Sequence, residues 1–171
     1  MPNTNFLKFL LCIILSIIMI FPPMPLYAAS VNDTPISDAQ HKQIIRQFLE
    51  EIKEIQRQTT DISLLALTNS SLKNGQLQAR INLIENNIQG LNKRIQDYLS
   101  TVPEVGERNR HVLLTFNVLN LVNGGLYLLN LLVNTTPDAE RFAILEEYFY
   151  SRATALDTLE ILEDILSKFN T

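Results

Sequence analysis

Sulfur and indole chemistry are nearly missing from this chain. It has one cysteine and no tryptophan, and the cysteine, Cys12, lies in an apolar run near the N-terminus. An intramolecular disulfide is excluded. Histidine is also scarce, with two residues, His41 and His111. Serine and threonine are scattered without a His–acid partner pattern, so no nucleophilic triad can be assembled. Glycine is rare as well, five in the chain, and Asn123-Gly124-Gly125 has no lysine after it. A phosphate-cradling loop is therefore lacking. Lys and Arg number 14 against 18 Asp and Glu. That balance argues against nucleic acid and against electrostatic adhesion to anionic lipid.

Four of the seven prolines fall before residue 26, in a stretch that reads as an export signal. Lys8 and the terminal amine give a positive end, residues 9–21 are an apolar run too short for a comfortable span, and Pro22, Pro23 and Pro25 break it. Leu26-Tyr27-Ala28 ends on a small residue, so cleavage is expected after Ala28. Residues 1–28 are the expected signal peptide and 29–36 a short linker. All three methionines and Cys12 would leave with the signal. An exported domain without disulfides fits a bacterial envelope or medium better than a eukaryotic secretory route. The expected location is periplasmic or extracellular. Removing Lys8 leaves 13 basic and 18 acidic residues, a net charge of −5.

What the chain has in quantity is leucine and valine, concentrated in residues 112–133. These 22 residues carry no charge, and 15 of them are Val, Leu, Phe or Tyr. Length and composition would suit a membrane span. Asn117, Asn120, Asn123 and Asn130 oppose that, because each unsatisfied amide costs roughly 1–3 kcal/mol in an apolar medium. On a heptad grid the amides gather with Gly124 on one side, and the remaining positions are apolar. The stretch therefore reads as a buried helix with a narrow wet seam. Asn123-Gly124 is also a hairpin signal, but the Leu-rich flanks lack period-2 alternation. The two glycines would permit a kink or a close backbone approach.

The remaining chain divides at Lys73-Asn74-Gly75, Pro103 and Pro137 into four helical segments. The first, about 37–69, opens with Ser37-Asp38-Ala39-Gln40, a capping-box pattern, and carries Ile45, Phe48, Ile52, Ile55, Thr59 and Ile62 on one seam. Arg46–Glu50 and Arg57–Asp61 are opposite-sign pairs at i,i+4. The second, about 76–100, has apolar residues spaced 4,3,4,3 from Leu77 through Tyr98 to Val102, a coiled-coil-like seam. The third, about 103–134, starts at the capping pattern Thr101-Val102-Pro103-Glu104 and contains the apolar stretch. The fourth, about 137–169, starts at Thr136-Pro137-Asp138, with Phe142, Leu145, Phe149, Leu156, Leu159, Leu162, Leu166 and Phe169 as its expected seam. It also holds eight acids and three bases.

Short connections make sequential helices antiparallel. The expected fold is all-α: an up-down-up-down four-helix bundle with coiled-coil-like seams, one domain over 37–171, preceded by a cleaved signal peptide. Neither histidine belongs to a Glu-x-x-His motif, and both are expected in partly wet positions near helix starts. No metal or cofactor is therefore expected. Ile36-Ser37-Asp38-Ala39-Gln40 resembles the L-T-x-x-Q signature of the periplasmic Spy and CpxP chaperones. Thr136-Pro137-Asp138-Ala139-Glu140 resembles a degenerate copy. These short stretches lack the second Gln, are also ordinary helix starts, and assign no family. Long helices around an apolar segment resemble α-helical pore-forming toxins in layout alone.

The functional expectation is a non-enzymatic protein that binds another protein or a copy of itself through the third helix. Leu114, Leu121, Tyr127, Leu128, Tyr148 and Tyr150 are the interaction candidates, the last in a Tyr148-Phe149-Tyr150 cluster where Phe149 is expected on the core seam. The alternative is a membrane-active protein that opens to insert residues 112–133.

Overall fold

The computed structural model describes residues 36–68 and 74–169. The expected signal and its cleavage site lie outside them. Residues Ile36–Thr171 form one compact unit. Among the described residues four helices run through it: α1 Asp38–Thr68, α2 Asn74–Leu99, α3 Glu107–Asn134 and α4 Asp138–Lys168.

Contacts between helix ends give the topology. His41, at the start of α1, meets Tyr98 at the end of α2 and His111 at the start of α3. Arg141, at the start of α4, reaches the carbonyls of Leu132 at the end of α3 and Ala66 at the end of α1. Successive helices therefore alternate in direction, and the protein is a four-helix bundle.

The α1 start is capped as its sequence prescribes. Ser37 Oγ accepts from the Gln40 amide at 3.2 Å, and the Ser37 amide donates to Gln40 Oε1 at 2.9 Å. This satisfies two otherwise orphaned donors. The expected start of α3 is corrected. Residues 101–106 are turn, bend and irregular chain, and α3 begins at Glu107 after Gly106, whose φ is 136°. A side chain rarely adopts that conformation, so Gly106 redirects the chain there. Thr101 looks back instead, its hydroxyl donating to the Tyr98 carbonyl at 2.8 Å. Asn74-Gly75, read as part of a turn, opens α2.

The 4,3 series is buried throughout, from Leu77 to Tyr98 on α2 and on to Val102 in the turn that follows it. On α1, every expected seam residue from Ile45 to Ile62 is buried, Thr59 included. Arg57–Asp61 forms at 3.0 Å, whereas Glu50 pairs with Lys53 at 2.7 Å rather than with Arg46.

Helix α3 is the centre of the bundle and touches the other three helices. Its buried residues occupy three of seven heptad positions: His111, Val118, Gly125 and Leu132; Val112, Leu119, Leu126 and Val133; and Thr115, Val122 and Leu129. Three inward rows are what a helix needs to meet three neighbours. Asn117, Asn120 and Asn123 are exposed, and Asn130 is half-buried. Asn123-Gly124-Gly125 remains helical. Gly125 packs beneath Tyr148, where an added Cβ would stand 3.6 Å from the ring.

The expected α4 seam is corrected. Its inward row is Leu145, Tyr148, Arg152, Ala155, Leu159, Leu162 and Leu166, an unbroken 3,4 series with arginine at one position. Phe142, Phe149 and Leu156 share a different heptad position and are 74%, 44% and 39% exposed. The physical reason is the polar content of the true seam. Tyr148, Arg152 and Ala155 hide the period when only large apolar residues are read.

Helices α1 and α4 are joined mainly by side chains. Lys53 pairs with Glu163 at 2.5 Å, Arg152 donates to Thr60 Oγ1 at 3.0 Å, and Lys42 reaches the Phe169 carbonyl at 3.4 Å.

Candidate functional site

The most concentrated chemistry lies at one end of the bundle. The first turn of α1 supplies His41, the last turn of α2 Tyr98, the second turn of α3 His111, and the residue after α4 Phe169. His41 Nδ1 is 2.7 Å from the Tyr98 hydroxyl, and His41 Nε2 is 3.1 Å from His111 Nδ1. Phe169 meets both imidazoles edge-on, with centroids 5.8 and 4.8 Å away. Both histidines are buried, which corrects the expectation of partly wet positions. Each continues a seam: His41 lies four residues before Ile45, and His111 four before Thr115.

Neutral imidazole has one donor and one acceptor. The chain of bonds can therefore run from Tyr98 through His41 to His111, or in reverse. Burial lowers the His41 pKa to about 4, with the charges of His111 and Arg108 adding to the effect and Asp38 opposing it. Burial also lowers His111, against Glu107. Burial raises the Tyr98 phenol. All three groups are neutral near pH 7. Protonating both rings would set two N–H donors against each other across 3.1 Å. Arg108 closes the end by binding Asp38 and the Ile36 carbonyl.

Chemically, this cluster can share protons and hold four chain segments together. Among the described residues no three His, Cys, Asp or Glu side chains converge as metal ligands. An open groove of about 410 Å³ lies between α1 and α2, bordered by Glu51, Asn86, Asn87, Gly90 and Arg94. Arg94 spans it to Glu51 at 2.9 Å. A small interior space of about 10 Å³ lies where Gln56 of α1 and Tyr148 of α4 face α3. Gln56 Nε2 and the Tyr148 hydroxyl are buried there without a protein partner.

The interaction candidates separate into two groups. Leu114, Leu121 and Leu128 are half-buried and pack against the core. Tyr148 is 1% exposed, covering Gly125, whereas Tyr127 and Tyr150 are 62% and 77% exposed. The reading of Tyr148-Phe149-Tyr150 is thus reversed at its first two residues: Tyr148 is interior and Phe149 faces outward. The histidine cluster and the outward row Phe142, Phe149 and Leu156 were missed. Seam spacing through His41 and His111 signalled the first; the 3,4 series through Arg152 signalled the second.

The chain matches no family model, no curated protein and no solved structure.

Proposed function

We propose that this protein is an exported, non-enzymatic helical bundle that acts by protein–protein contact, with another protein or with itself. The observation that carries this reading is the outward surface. Tyr127 on α3 and Phe142, Phe149 and Tyr150 on α4 are each at least 44% exposed. Scattered apolar residues are ordinary on a protein surface, but a set of large aromatics on two adjoining helices is the composition of a binding face. The interior chemistry is in keeping with this reading, because the buried His41–Tyr98–His111 cluster packs against Phe169 and serves the packing of helix ends. The contact surface belongs to α4 and the exposed edge of α3, since most of α3's apolar rows are used within the bundle. Export is supported by the leader-like residues 1–28, and periplasmic or extracellular residence by a domain free of cysteine. Coiled-coil-like seams account for the 4,3 spacings.

Photo-cross-linking from residue 127 or 150 in the exporting cell tests the reading. A discrete adduct is expected from both positions and none from position 148. Absence of adducts at 127 and 150, with a mature chain that stays monomeric, would refute it.

A second reading, membrane insertion of residues 112–133, is favoured by one observation. Helix α3 is long and apolar enough to cross a membrane, with a mean hydropathy of 1.6. It requires eleven buried residues of α3 to leave the bundle. An acidic substitution at Leu121 or Leu128 separates the two. A binding protein would lose folding or assembly, whereas a membrane-active one would fold and fail to release vesicle contents.

A further inference from the structure

Helix α4 carries more acid than its neighbours neutralise. Among its eight carboxylates only Glu163 and Asp164 have a basic partner, Lys53 and Lys168. Glu146, Glu147, Asp157 and Glu160 have none among the described residues, and all four are exposed. Three of these carboxylates, Glu146, Asp157 and Glu160, stand beside the outward apolar residues. Phe142, Phe149 and Leu156 recur every seven residues and form a stripe about 21 Å long at 1.5 Å per residue. At 100° per residue, Glu146, Asp157 and Glu160 lie within a quarter-turn or so of that stripe on its solvent side, with Tyr150 among them. An apolar row at heptad spacing, edged by charge of one sign, is what one helix of a coiled-coil pair offers the other.

We propose that the outer face of α4 docks a basic amphipathic helix of another protein. The partner's apolar side chains would sit on Phe142, Phe149 and Leu156, and its lysines or arginines would face Glu146, Asp157 and Glu160. The proposal rests on the protein-contact reading and names the partner's chemistry. Charge complementarity selects this occupant. Two copies meeting by this face would oppose like charges. Nor does the bundle carry a basic face for a second copy's acids. Among the described residues the bases with no hydrogen-bond or ion-pair partner are Arg46, Arg80 and Arg110, one on each of α1, α2 and α3.

The test is fluorescence anisotropy of labelled synthetic peptides titrated with the full chain at low salt. The first peptide has leucine at heptad spacing flanked by lysine. The second has glutamate for lysine. The third keeps the lysines and breaks the leucine period. The first is expected to bind at least about tenfold more tightly than either control, with an affinity that falls as salt is raised. The combined change Glu146→Lys, Asp157→Lys and Glu160→Lys should reverse the preference between the first two peptides. Circular dichroism should show unchanged helicity, because all three sites are exposed. Phe149→Ser should weaken the first peptide alone. Equal binding of the first and third peptides, or an unchanged preference after charge reversal, would overturn the proposal. If cross-linked adducts at positions 127 and 150 persist in that case, protein contact survives and only the partner's chemistry is wrong. A dimer that persists in the charge-reversed protein would assign the stripe to a second copy and also overturn it.

Discussion

His41 shows how much one side chain can decide here. It sits on the α1 seam, fully buried, and stays neutral because charging it would require desolvation beside His111 and Arg108. Its pKa in the bundle is about 4, against 6.5 when unfolded. The unfolded chain therefore binds more protons between those values, so stability is fully present above pH 6.5 and falls as the pH drops toward 4. The difference corresponds to roughly 3 kcal/mol when fully developed. Thermal unfolding followed by circular dichroism should show the midpoint falling over that window, and His41→Leu should flatten the fall. A midpoint unaffected between pH 6.5 and 4 would contradict the buried pair. Ser37 is the second residue with a separable effect. Ser37→Ala removes the side-chain half of the cap on α1 and should cost about 1 kcal/mol, measurable by denaturant titration.

At the scale of elements, α3 holds the bundle together and its glycines differ in role. Gly124 is exposed and helical, with only Ser151 Oγ within 4 Å of an added Cβ, at 3.9 Å. Gly124→Ala should therefore stabilise the protein by up to about 1 kcal/mol. Gly125 lies under Tyr148, and Gly125→Leu should force that ring aside and destabilise by about 1–3 kcal/mol. Leu129, buried among the other helices, should lose roughly 2–5 kcal/mol on truncation to alanine. Denaturant titrations of the three variants check both sign and order. Legibility differed by helix. Leu77 to Tyr98 of α2 were readable because every inward position is apolar. The wet side of α3 was readable because Asn117, Asn120 and Asn123 mark it. The α4 seam was not, because Arg152 and Ala155 interrupt it while Phe142 and Phe149 point outward. The start of α3 was misplaced because Gly106 outweighed the Thr101–Glu104 capping pattern, whose threonine turned back to cap α2.

For the whole molecule, the division of labour follows from who touches whom. Helices α1, α2 and α4 each pack on α3, while α4 meets α1 mainly through Lys42, Lys53, Arg141 and Arg152. Amide hydrogen exchange should accordingly be slowest in the middle of α3 and faster along α4, whose outer face has no neighbour among the described residues. Equal protection of the two helices would contradict this arrangement. The four-helix fold was legible from periodicity, but the meeting of His41, Tyr98, His111 and Phe169 was not. Residues 41, 98, 111 and 169 come together only once the direction of every helix is set.

The central claim is that α3 is an interior helix of a protein that works by contact with other proteins. Light-scattering size analysis of residues 29–171, with and without lipid vesicles at neutral pH, tests it most directly. The account predicts a discrete soluble species of unchanged size when vesicles are added, because the inward rows of α3 stay covered. Transfer of the protein into the vesicle fraction would contradict it and give residues 112–133 to the membrane.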